Sequence, residues 1–457
     1  MARTPLFRYF SRIFRHADAA NQKNVPKEET ERFFKLSRRQ FMGVAAGAIV
    51  FPALTHSRLL RGRGTQGEIA IIGGGFAGLT AAYRLGRAGL SSKVYEASPR
   101  WGGRAFTKDN FNSEKMFCEL GGELVDTGHA DLIALCGELG VALEDFEVSL
   151  PALAKEIYFF DGKMKSEAEL LEAFRPVAKI IKTDLDRAFG SAGVSVPTYQ
   201  HPIAGDLDRT SLRQYFQQMQ SSCEGWVLKL LEQAYIGEYG LDLHAQSALN
   251  LLLMIRTNTE KGFSVFGDSD ESKRIKGGSS RLADALRKSC ADSDSGRLHP
   301  DHRLVKIEDR KNAFRLTFKT AGGLREVKAD RVVLALPFSV LRDVAGIETL
   351  DLSPVKKIAI AETQYGTNAK FMLGFKNPFW RKVHGAIPAC EGTVFSDSVA
   401  QQFWDSSRLQ KGHSGILTAF FGGKIGTEIT GEKLDAILRD VSRIIRKRLA
   451  NLTAIEL

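Results

Sequence analysis

The sequence predicts an α/β fold, and three features near residue 80 predict it. Glu68–Ile72 is a short apolar run typical of a buried strand, and it leads into the glycine-rich turn Gly73–Gly78. A helical stretch, Leu79–Ala88, comes next, and a second strand, Lys93–Tyr95, ends at Glu96. Strand, glycine turn, helix, strand and acid in this order are typical of a Rossmann-type unit that binds a dinucleotide.

Each glycine of the turn has a predicted task. Gly73 permits the tight turn, Gly75 lets the backbone approach a pyrophosphate, and Gly78 lets helix and strand pack closely. The phosphates would bind the free N–H groups at the helix start, where Phe76 and Ala77 lie. The alternative is a glycine-rich turn in an ordinary α/β unit.

The acid after the second strand completes the pattern. Glu96 follows Gly78 at close to the spacing of about 20 residues that is typical of the ribose-binding acid, and Ala97 lies beside it. A second match to G-x-G-x-x-G, at Gly62–Gly67, has no strand before it and no helix after it. We therefore interpret that second match as a flexible linker.

Two further glycine segments connect the chain to a known family. Arg100–Arg104 reads R-W-G-G-R, and Glu119–Glu123 reads E-L-G-G-E. From the first strand through Gly122 the chain resembles the flavin-containing amine oxidases, the monoamine and polyamine oxidases among them. The resemblance implies FAD as cofactor, contacted by both segments, with these residues as candidates: Arg100, Gly103, Arg104, Gly121, Gly122 and Glu123. Arginine suits a diphosphate because its planar fork donates paired hydrogen bonds, although Arg104 as a solvated loop charge is the alternative.

The resemblance also implies the domain organisation. It predicts a Rossmann-type FAD-binding domain of the GR2-like flavoproteins, interleaved with an α+β substrate-binding domain. The predicted segments are a leader and linker (1–67), a first FAD-binding segment (68–145), a helical segment of the substrate domain (146–268), a second FAD-binding segment (269–345) and a sheet-rich segment of the substrate domain (346–457). Helical spacing predicts helices at Ser166–Lys182, Leu212–Gly237 and Gln246–Ile255. In the family, the strand that matches Leu304 lays its backbone beside the adenine.

Lys370 is the first candidate for a catalytic role. Tyr365–Phe371 and Lys376–Lys382 resemble the corresponding stretches of monoamine oxidases. By this resemblance Lys370 matches the lysine that holds a water against flavin N5, where a cation also favours negative charge on the reduced ring. The alternative is a surface lysine on a strand.

Asp126 is the second catalytic candidate. Glu119–Asp126 resembles the stretch in which polyamine oxidases place an acid or a histidine near the flavin. A carboxylate there would attract a protonated amine, or it would cap the helix predicted for Ala130–Gly137. Amino-acid oxidases of the family carry an arginine in this loop, whereas this chain has none between 119 and 130, so an amine substrate is favoured over an amino acid.

Composition excludes several other classes. The net charge is +11, but residues 1–64 hold 13 Lys/Arg and four Asp/Glu, so the rest of the chain carries only +2. A nucleic-acid footprint in the folded region is therefore not expected. The five cysteines include no C-x-x-C pair, and neither a disulfide framework nor a metal site is predicted.

The leader predicts export. Arg38 and Arg39 precede the apolar stretch Phe41–Leu54, which is too short to span a bilayer as a helix but suits a signal peptide. The paired arginines match a twin-arginine signal, which predicts a periplasmic location, or a cytoplasmic one if the leader is not functional. An uncleaved anchor or a disordered tail remains the alternative.

The resemblance implies that an amine is oxidised to an imine while dioxygen is reduced to hydrogen peroxide. The expected partners are a small amine and dioxygen, without nucleic acid or a stable membrane span, and a homodimer stays open. Alternatives are a flavin dehydrogenase or desaturase of an apolar substrate, and a truncated FAD-binding protein without turnover. The last alternative arises because the family's C-terminal signature, which would form a third FAD-binding segment, is not recognised between the helix predicted for Glu432–Ala450 and Leu457.

Overall fold

The computed structural model describes residues 67–146, 153–190, 202–258, 263–293, 295–383, 388–398, 401–429 and 439. The predicted twin-arginine leader, and the helix predicted for Glu432–Ala450 apart from Arg439, lie outside the described residues. Within the described ranges, no helix combines the length and apolar character that a bilayer crossing needs.

The described strands and α-helices are numbered here in chain order. The strands are β1 Ile69–Ile72, β2 Ser92–Tyr95, β3 Thr107–Lys108, β4 Cys118–Glu119, β5 Leu124–Val125, β6 Leu143–Asp145, β7 Ala154–Phe160, β8 Lys163–Lys165, β9 Lys273–Ile275, β10 Leu298–His299, β11 Arg303–Arg310, β12 Ala313–Thr320, β13 Gly323–Ala329, β14 Arg331–Leu334, β15 Ala369–Phe375, β16 Cys390–Ser396, β17 Gln402–Asp405 and β18 Gly415–Phe421. The helices are α1 Phe76–Arg87, α2 Ala130–Glu138, α3 Glu167–Phe189, α4 Pro202–Arg209, α5 Leu212–Met219, α6 Gly225–Tyr239, α7 Ala248–Leu252, α8 Ser280–Ser293, α9 Phe338–Leu341, α10 Pro354–Glu362 and α11 Gly423–Glu428.

A four-stranded parallel sheet carries the predicted nucleotide unit. Its strand order is β10–β2–β1–β14, so β1 lies between β2 and β14 along its full length. The central strand is apolar and buried on both faces, as parallel strands usually are. On one face, Leu79 of α1 packs with Leu282 and Leu286 of α8 in one core cluster. The predicted α/β fold class is confirmed.

An antiparallel sheet, β11–β12–β13, covers the other face of the parallel sheet. Leu316 and Phe318 on β12 are fully buried and pack in one cluster with Ile72 of β1 and Tyr95 of β2. Because each strand presents alternate residues to the core, the outward positions of β12 and β13 carry most of the charges. This layer places the start of β11 beside the end of β2.

A six-stranded mixed sheet has the order β15–β18–β17–β16–β7–β8. Its strands β7 and β8 come from the segment 146–268, for which only helices were predicted. The turn Asp161-Gly162 joins them with φ of 52° and 72°, as in the two-residue hairpins that favour Asp-Gly. β7 then pairs in parallel with β16, which comes much later in the chain, and this pairing ties the helical segment to the sheet.

Helices α3 to α7 form a separate apolar core against β7 and β16. Capping boxes begin two of them: Ser166 with Glu169 at α3, and Ser211 with Gln214 at α5. The single helix predicted for Leu212–Gly237 is instead two helices, α5 and α6. They are separated because the backbone at Cys223 is extended, with φ of −134°.

Candidate active site

Two glycines in the turn between β1 and α1 are required by the fold itself. A Cβ on Gly78 would lie 1.9 Å from the carbonyl oxygen of Gly73. Gly73 has φ of 108°, and a Cβ there would lie 2.6 Å from the carbonyl oxygen of Ala335. Any side chain at either position would therefore displace backbone.

Gly75 differs, because its described neighbours do not require a glycine. Its φ of −76° and ψ of −179° suit any residue, and a Cβ would make only ordinary contacts, at 3.8 Å to Gly103 Cα and 3.9 Å to Gly102 O. A side chain at Gly75 would therefore extend into space at the start of α1.

This space has the chemistry of a diphosphate site. Gly75 is the N-cap of α1, no side chain caps the helix, and its first turn contains no acid. Phe76 is half-buried and Ala77 is exposed, so the helix start and its positive dipole end are accessible to an anion. The residues present therefore fit the pyrophosphate of FAD.

Glu96 lies directly beside this turn. One carboxylate oxygen accepts a hydrogen bond from Gly74 N at 2.6 Å, and the other accepts one from Ser98 N at 2.8 Å. The Glu96 carbonyl accepts from His302 N at 2.8 Å, which fixes the start of β11 next to it. Ala97 is exposed at the same corner, and Leu304, just beyond His302, points its side chain into the core. The structure thus brings together the residues predicted for the adenosine end of the cofactor.

The two arginines of the R-W-G-G-R segment have different surroundings. Arg100 turns back on its own loop and donates to the carbonyls of Gly103 at 2.6 Å and Ala105 at 3.0 Å. Arg104 is exposed, and its guanidinium lies 5.8 Å from the ring centroid of Tyr365. Arg100 therefore stabilises the conformation of its own loop, whereas the side chain of Arg104 lies at the protein surface.

The three glycine segments contact one another. Gly102 N donates to Gly74 O at 2.9 Å, and Gly122 N donates to Arg104 O at 3.1 Å. A Cβ on Gly121 would lie 1.9 Å from Arg104 O, so this approach depends on glycine. Segments that are well separated in the sequence thus form one continuous backbone surface.

Lys370 on β15 is tied to that surface. Its ammonium donates to the carbonyls of Gly121 at 2.8 Å and Glu119 at 3.3 Å, and lies 3.6 Å from the Glu123 carboxylate. The same nitrogen lies 5.2 Å from the ring centroid of Trp404. With only 14% of its side chain exposed, Lys370 is a tethered, largely buried cation rather than a surface lysine.

Glu119 is a buried acid in the same surface, and no sequence-based prediction assigned it to the site. It is fully buried, and one oxygen accepts from Thr107 Oγ1 at 2.9 Å and Ser279 N at 2.7 Å. Burial raises the pKa of Glu119 to about 7, and the bonds from Ser279 and Thr107 offset part of that rise. The residue is the E of the E-L-G-G-E motif, and this motif is the signal that points to it.

Asp126 does not cap the helix that follows it. The N-cap of α2 is His129, and no side chain caps that helix. The Asp126 carboxylate instead accepts from Ser269 Oγ at 2.9 Å and Glu271 N at 2.8 Å, which ties β5 to the loop before β9. The N-cap alternative is therefore wrong, because the chain makes a further turn between Asp126 and α2.

Two further acids lie near Asp126, and no motif in the sequence predicted them. Burial raises the pKa of Glu271 to about 8, and the negative charges of Glu238 and Asp126 add to the rise. Burial likewise raises the pKa of Glu238 to about 7, with Asp126 as the next cause. Although neighbouring groups crowd its carboxyl, Glu271 is exposed, so a ligand can reach it. The three carboxyls give this region of the molecule an acidic character.

Comparisons with known proteins show what the chain is similar to. The family model described as flavin containing amine oxidoreductase matches residues 76–453. Among curated proteins, the chain is 24% identical over 333 residues to the flavin-dependent L-tryptophan oxidase RebO of Lentzea aerocolonigenes, covering 69% of this chain and 67% of that protein. It is 24% identical over 325 residues to the flavin-containing amine oxidase B of Mus musculus, covering 69% of this chain and 59% of that protein. The matches thus span about three fifths to two thirds of these relatives.

Solved structures share the fold. A putrescine oxidase bound to putrescine has a TM-score of 0.66 at 21% identity, covering 85% of this chain and 84% of that chain. The cyclohexylamine oxidase of Brevibacterium oxydans has a TM-score of 0.67 at 19% identity, covering 85% of this chain and 83% of that chain. At these identities the likeness establishes the architecture alone.

Proposed function

Since this chain belongs to the flavin-containing amine oxidoreductase family and its cofactor is FAD, we propose that it oxidises an amine to an imine and passes the electrons to dioxygen. FAD supplies the redox chemistry, because flavin N5 accepts a hydride from the carbon next to the amine nitrogen and the reduced ring delivers two electrons to dioxygen. With two protons the dioxygen becomes hydrogen peroxide, and water then hydrolyses the released imine.

The observation that carries the proposal is the tethered ammonium of Lys370. The ammonium donates to the Gly121 carbonyl, which belongs to the same backbone surface as the glycine-rich turn Gly73–Gly78. A fixed cation in a largely buried position stabilises negative charge that develops near it more than a solvated one does. We assign to Lys370 the task of stabilising charge as the electrons pass to dioxygen.

The acidic surroundings of Asp126 support a cationic substrate. An amine is protonated in neutral water, and the Asp126 carboxylate would attract it, joined by Glu238 and Glu271 as the pH rises through their raised pKa values of about 7 and 8. The oxidation itself needs the neutral amine, so one proton must leave before hydride transfer. RebO is described as an L-tryptophan oxidase, and L-tryptophan is therefore the competing substrate to test.

The first experiment separates the substrate classes and the electron acceptor. Protein reconstituted with FAD is mixed anaerobically with primary amines, diamines or L-tryptophan, and bleaching of the flavin absorbance is followed. We expect amines to bleach it, and air to restore it with one hydrogen peroxide per cycle. Reoxidation by a dye but not by dioxygen would indicate a dehydrogenase, and no flavin retention under any condition would refute the proposal.

The second experiment tests Lys370. Lys370→Met should slow reoxidation of the reduced flavin by dioxygen while FAD binding changes little, because the ammonium is lost but the pyrophosphate site is intact. Lys376→Met is the matched control, since Lys376 is an exposed lysine just past the end of the same strand. Equal reoxidation rates in both variants would remove the assigned role.

The leader carries a separate proposal, which is export by the twin-arginine route. A fusion of residues 1–67 to a reporter that is active only after export tests it directly. We expect export, and we expect replacing Arg38 and Arg39 by lysine to abolish it. Export that does not depend on the arginine pair would contradict the proposal.

A further inference from the structure

We propose that Glu123 is a positioning residue which holds the Lys370 ammonium in place, with Trp404 anchoring Glu123 in turn. The inference rests on the function proposed for Lys370 and adds the device that fixes it. It also changes the task of Glu123, which the sequence resemblance placed at the cofactor.

The Glu123 carboxylate contacts both partners through one atom. Its Oε2 atom accepts a hydrogen bond from the indole nitrogen of Trp404 at 3.1 Å and lies 3.6 Å from the ammonium of Lys370. One carboxylate oxygen therefore contacts both the indole N–H of Trp404 on β17 and the ammonium of Lys370 on β15. Because Trp404 is itself buried, it gives the carboxylate a fixed anchor.

The two charged side chains differ in exposure. The Glu123 side chain is 3% exposed, whereas that of Lys370 is 14% exposed. Glu123 thus has almost no surface with which to touch a substrate or cofactor, and Lys370 retains some. An effect of Glu123 on the reaction is therefore indirect, and Lys370 is the charged group that it contacts.

The acceptors around the ammonium also differ in charge. The Gly121 and Glu119 carbonyls are neutral acceptors, at 2.8 Å and 3.3 Å, and Glu123 supplies the nearest negative charge. A carboxylate attracts an ammonium more strongly than a neutral carbonyl does, and the attraction is larger where water is mostly excluded. Glu123 therefore supplies both the position and the counter-charge.

The aromatic groups close the remaining side. The Lys370 nitrogen lies 5.2 Å from the centroid of Trp404 and 6.0 Å from that of Phe420, and the two rings are 5.4 Å apart. Aromatic faces attract a cation and exclude water from it. Glu123 reaches the ammonium from the 119–123 segment, so the long lysine side chain is held at its end.

The first test reads the position of Lys370 without turnover. The apoprotein is acylated with a lysine-specific reagent, and modification is measured for each lysine by peptide mass spectrometry. Glu123→Gln keeps the shape and an oxygen that can accept from Trp404 but removes the charge. We expect acylation of Lys370 to accelerate by about 2- to 150-fold, the range for contacting residues, while the exposed Lys376 reacts as before. Unchanged acylation of Lys370 would overturn the inference.

The second test uses a double-mutant cycle on reoxidation of the reduced flavin by dioxygen. Glu123→Gln should slow this step in the wild-type background and have almost no further effect beside Lys370→Met. An equal slowing in both backgrounds would overturn the inference, since Glu123 would then act independently of Lys370. If acylation accelerates but Lys370→Met does not slow reoxidation, Glu123 does position the lysine and the function proposed for Lys370 is wrong.

Two further variants guard against a folding defect. Glu391→Gln is the matched control, because Glu391 also forms an ion pair, with Arg408 at 3.0 Å, and should leave Lys370 acylation unchanged. Trp404→Phe keeps a ring beside the ammonium but removes the indole donor, so it should raise Lys370 acylation without any change at Glu123. If Glu123→Gln does not fold, Trp404→Phe alone decides, and no change in that variant would overturn the inference.

Discussion

Replacing Gly75 by alanine should affect the stability of the apoprotein and its affinity for FAD to different extents. The added methyl group would make only ordinary contacts, at 3.8 Å and 3.9 Å, and the backbone angles suit alanine. Alanine restricts the unfolded chain, which stabilises the protein by about 0.4–1 kcal/mol, whereas it is a poorer N-cap than glycine by about the same amount. We therefore expect the free energy of unfolding of the apoprotein to change by less than about 1 kcal/mol.

The effect on FAD should be much larger. The methyl group would project into the space at the start of α1 where the pyrophosphate is predicted to bind. Forcing one extra carbon into a well-packed contact costs about 1–3 kcal/mol, which corresponds to about 5- to 150-fold weaker binding. Thermal unfolding of the apoprotein measures the first quantity, and titration of the apoprotein with FAD measures the second.

Gly78→Ala provides the contrast. There the methyl group would lie 1.9 Å from a carbonyl oxygen of the protein itself, so the apoprotein should lose stability before any ligand is added. If Gly75→Ala binds FAD as tightly as the wild type, the pyrophosphate does not approach Gly75 and the assignment of the turn is wrong. If Gly75→Ala unfolds as readily as Gly78→Ala, Gly75 is needed for the packing of the protein itself rather than for FAD binding.

Three further predictions concern the acids. Burial raises the pKa of Glu119 to about 7, so the folded apoprotein keeps a proton that the unfolded chain releases near pH 4.5. The free energy of unfolding of the wild type should therefore fall as pH rises from about 4.5 to 7. Glu119→Gln should flatten this slope in denaturant titrations. Asp126→Asn keeps an oxygen for Ser269 and Glu271 but loses the charge, so it should raise KM for a cationic amine several-fold. An unchanged KM would refute the electrostatic role. Glu271 has a pKa raised to about 8 and becomes charged as pH rises through that value, so KM for a cationic amine should fall between about pH 7 and 9 in the wild type. The fall should be clearly smaller in Glu271→Gln, where Glu238, with its pKa of about 7, still gains charge, and an equal fall in both proteins would refute the role of Glu271.

The nucleotide unit could be predicted because its signals are local. A glycine is required at Gly73 and Gly78 by contacts within a few residues or with the adjacent strand, and the apolar run of β1 marks a strand buried on both faces. The strand–turn–helix order therefore appears directly in the sequence. The predicted helix began at Leu79 and α1 begins at Phe76, a difference of the size expected at helix ends.

Contacts between distant segments were not predictable in the same way. Asp161-Gly162 is a local hairpin signal that identifies β7 and β8, but the pairing of β7 with β16 depends on residues far along the chain. The contact of Lys370 with Glu123 joins two residues that lie far apart in the sequence, and it has no local pattern. For Asp126, the sequence showed an acid before a helix, but only the structure shows that the helix starts after His129.

The parallel pairing of β7 with β16 has a consequence for biosynthesis. The larger sheet stays incomplete until β18, which ends at Phe421, has left the ribosome, and the nucleotide sheet likewise waits for β14. High contact order of this kind slows folding and leaves unpaired strand edges exposed on the nascent chain. Capture of the flavin should therefore be a late event, and the cell must protect the incomplete chain from aggregation until then.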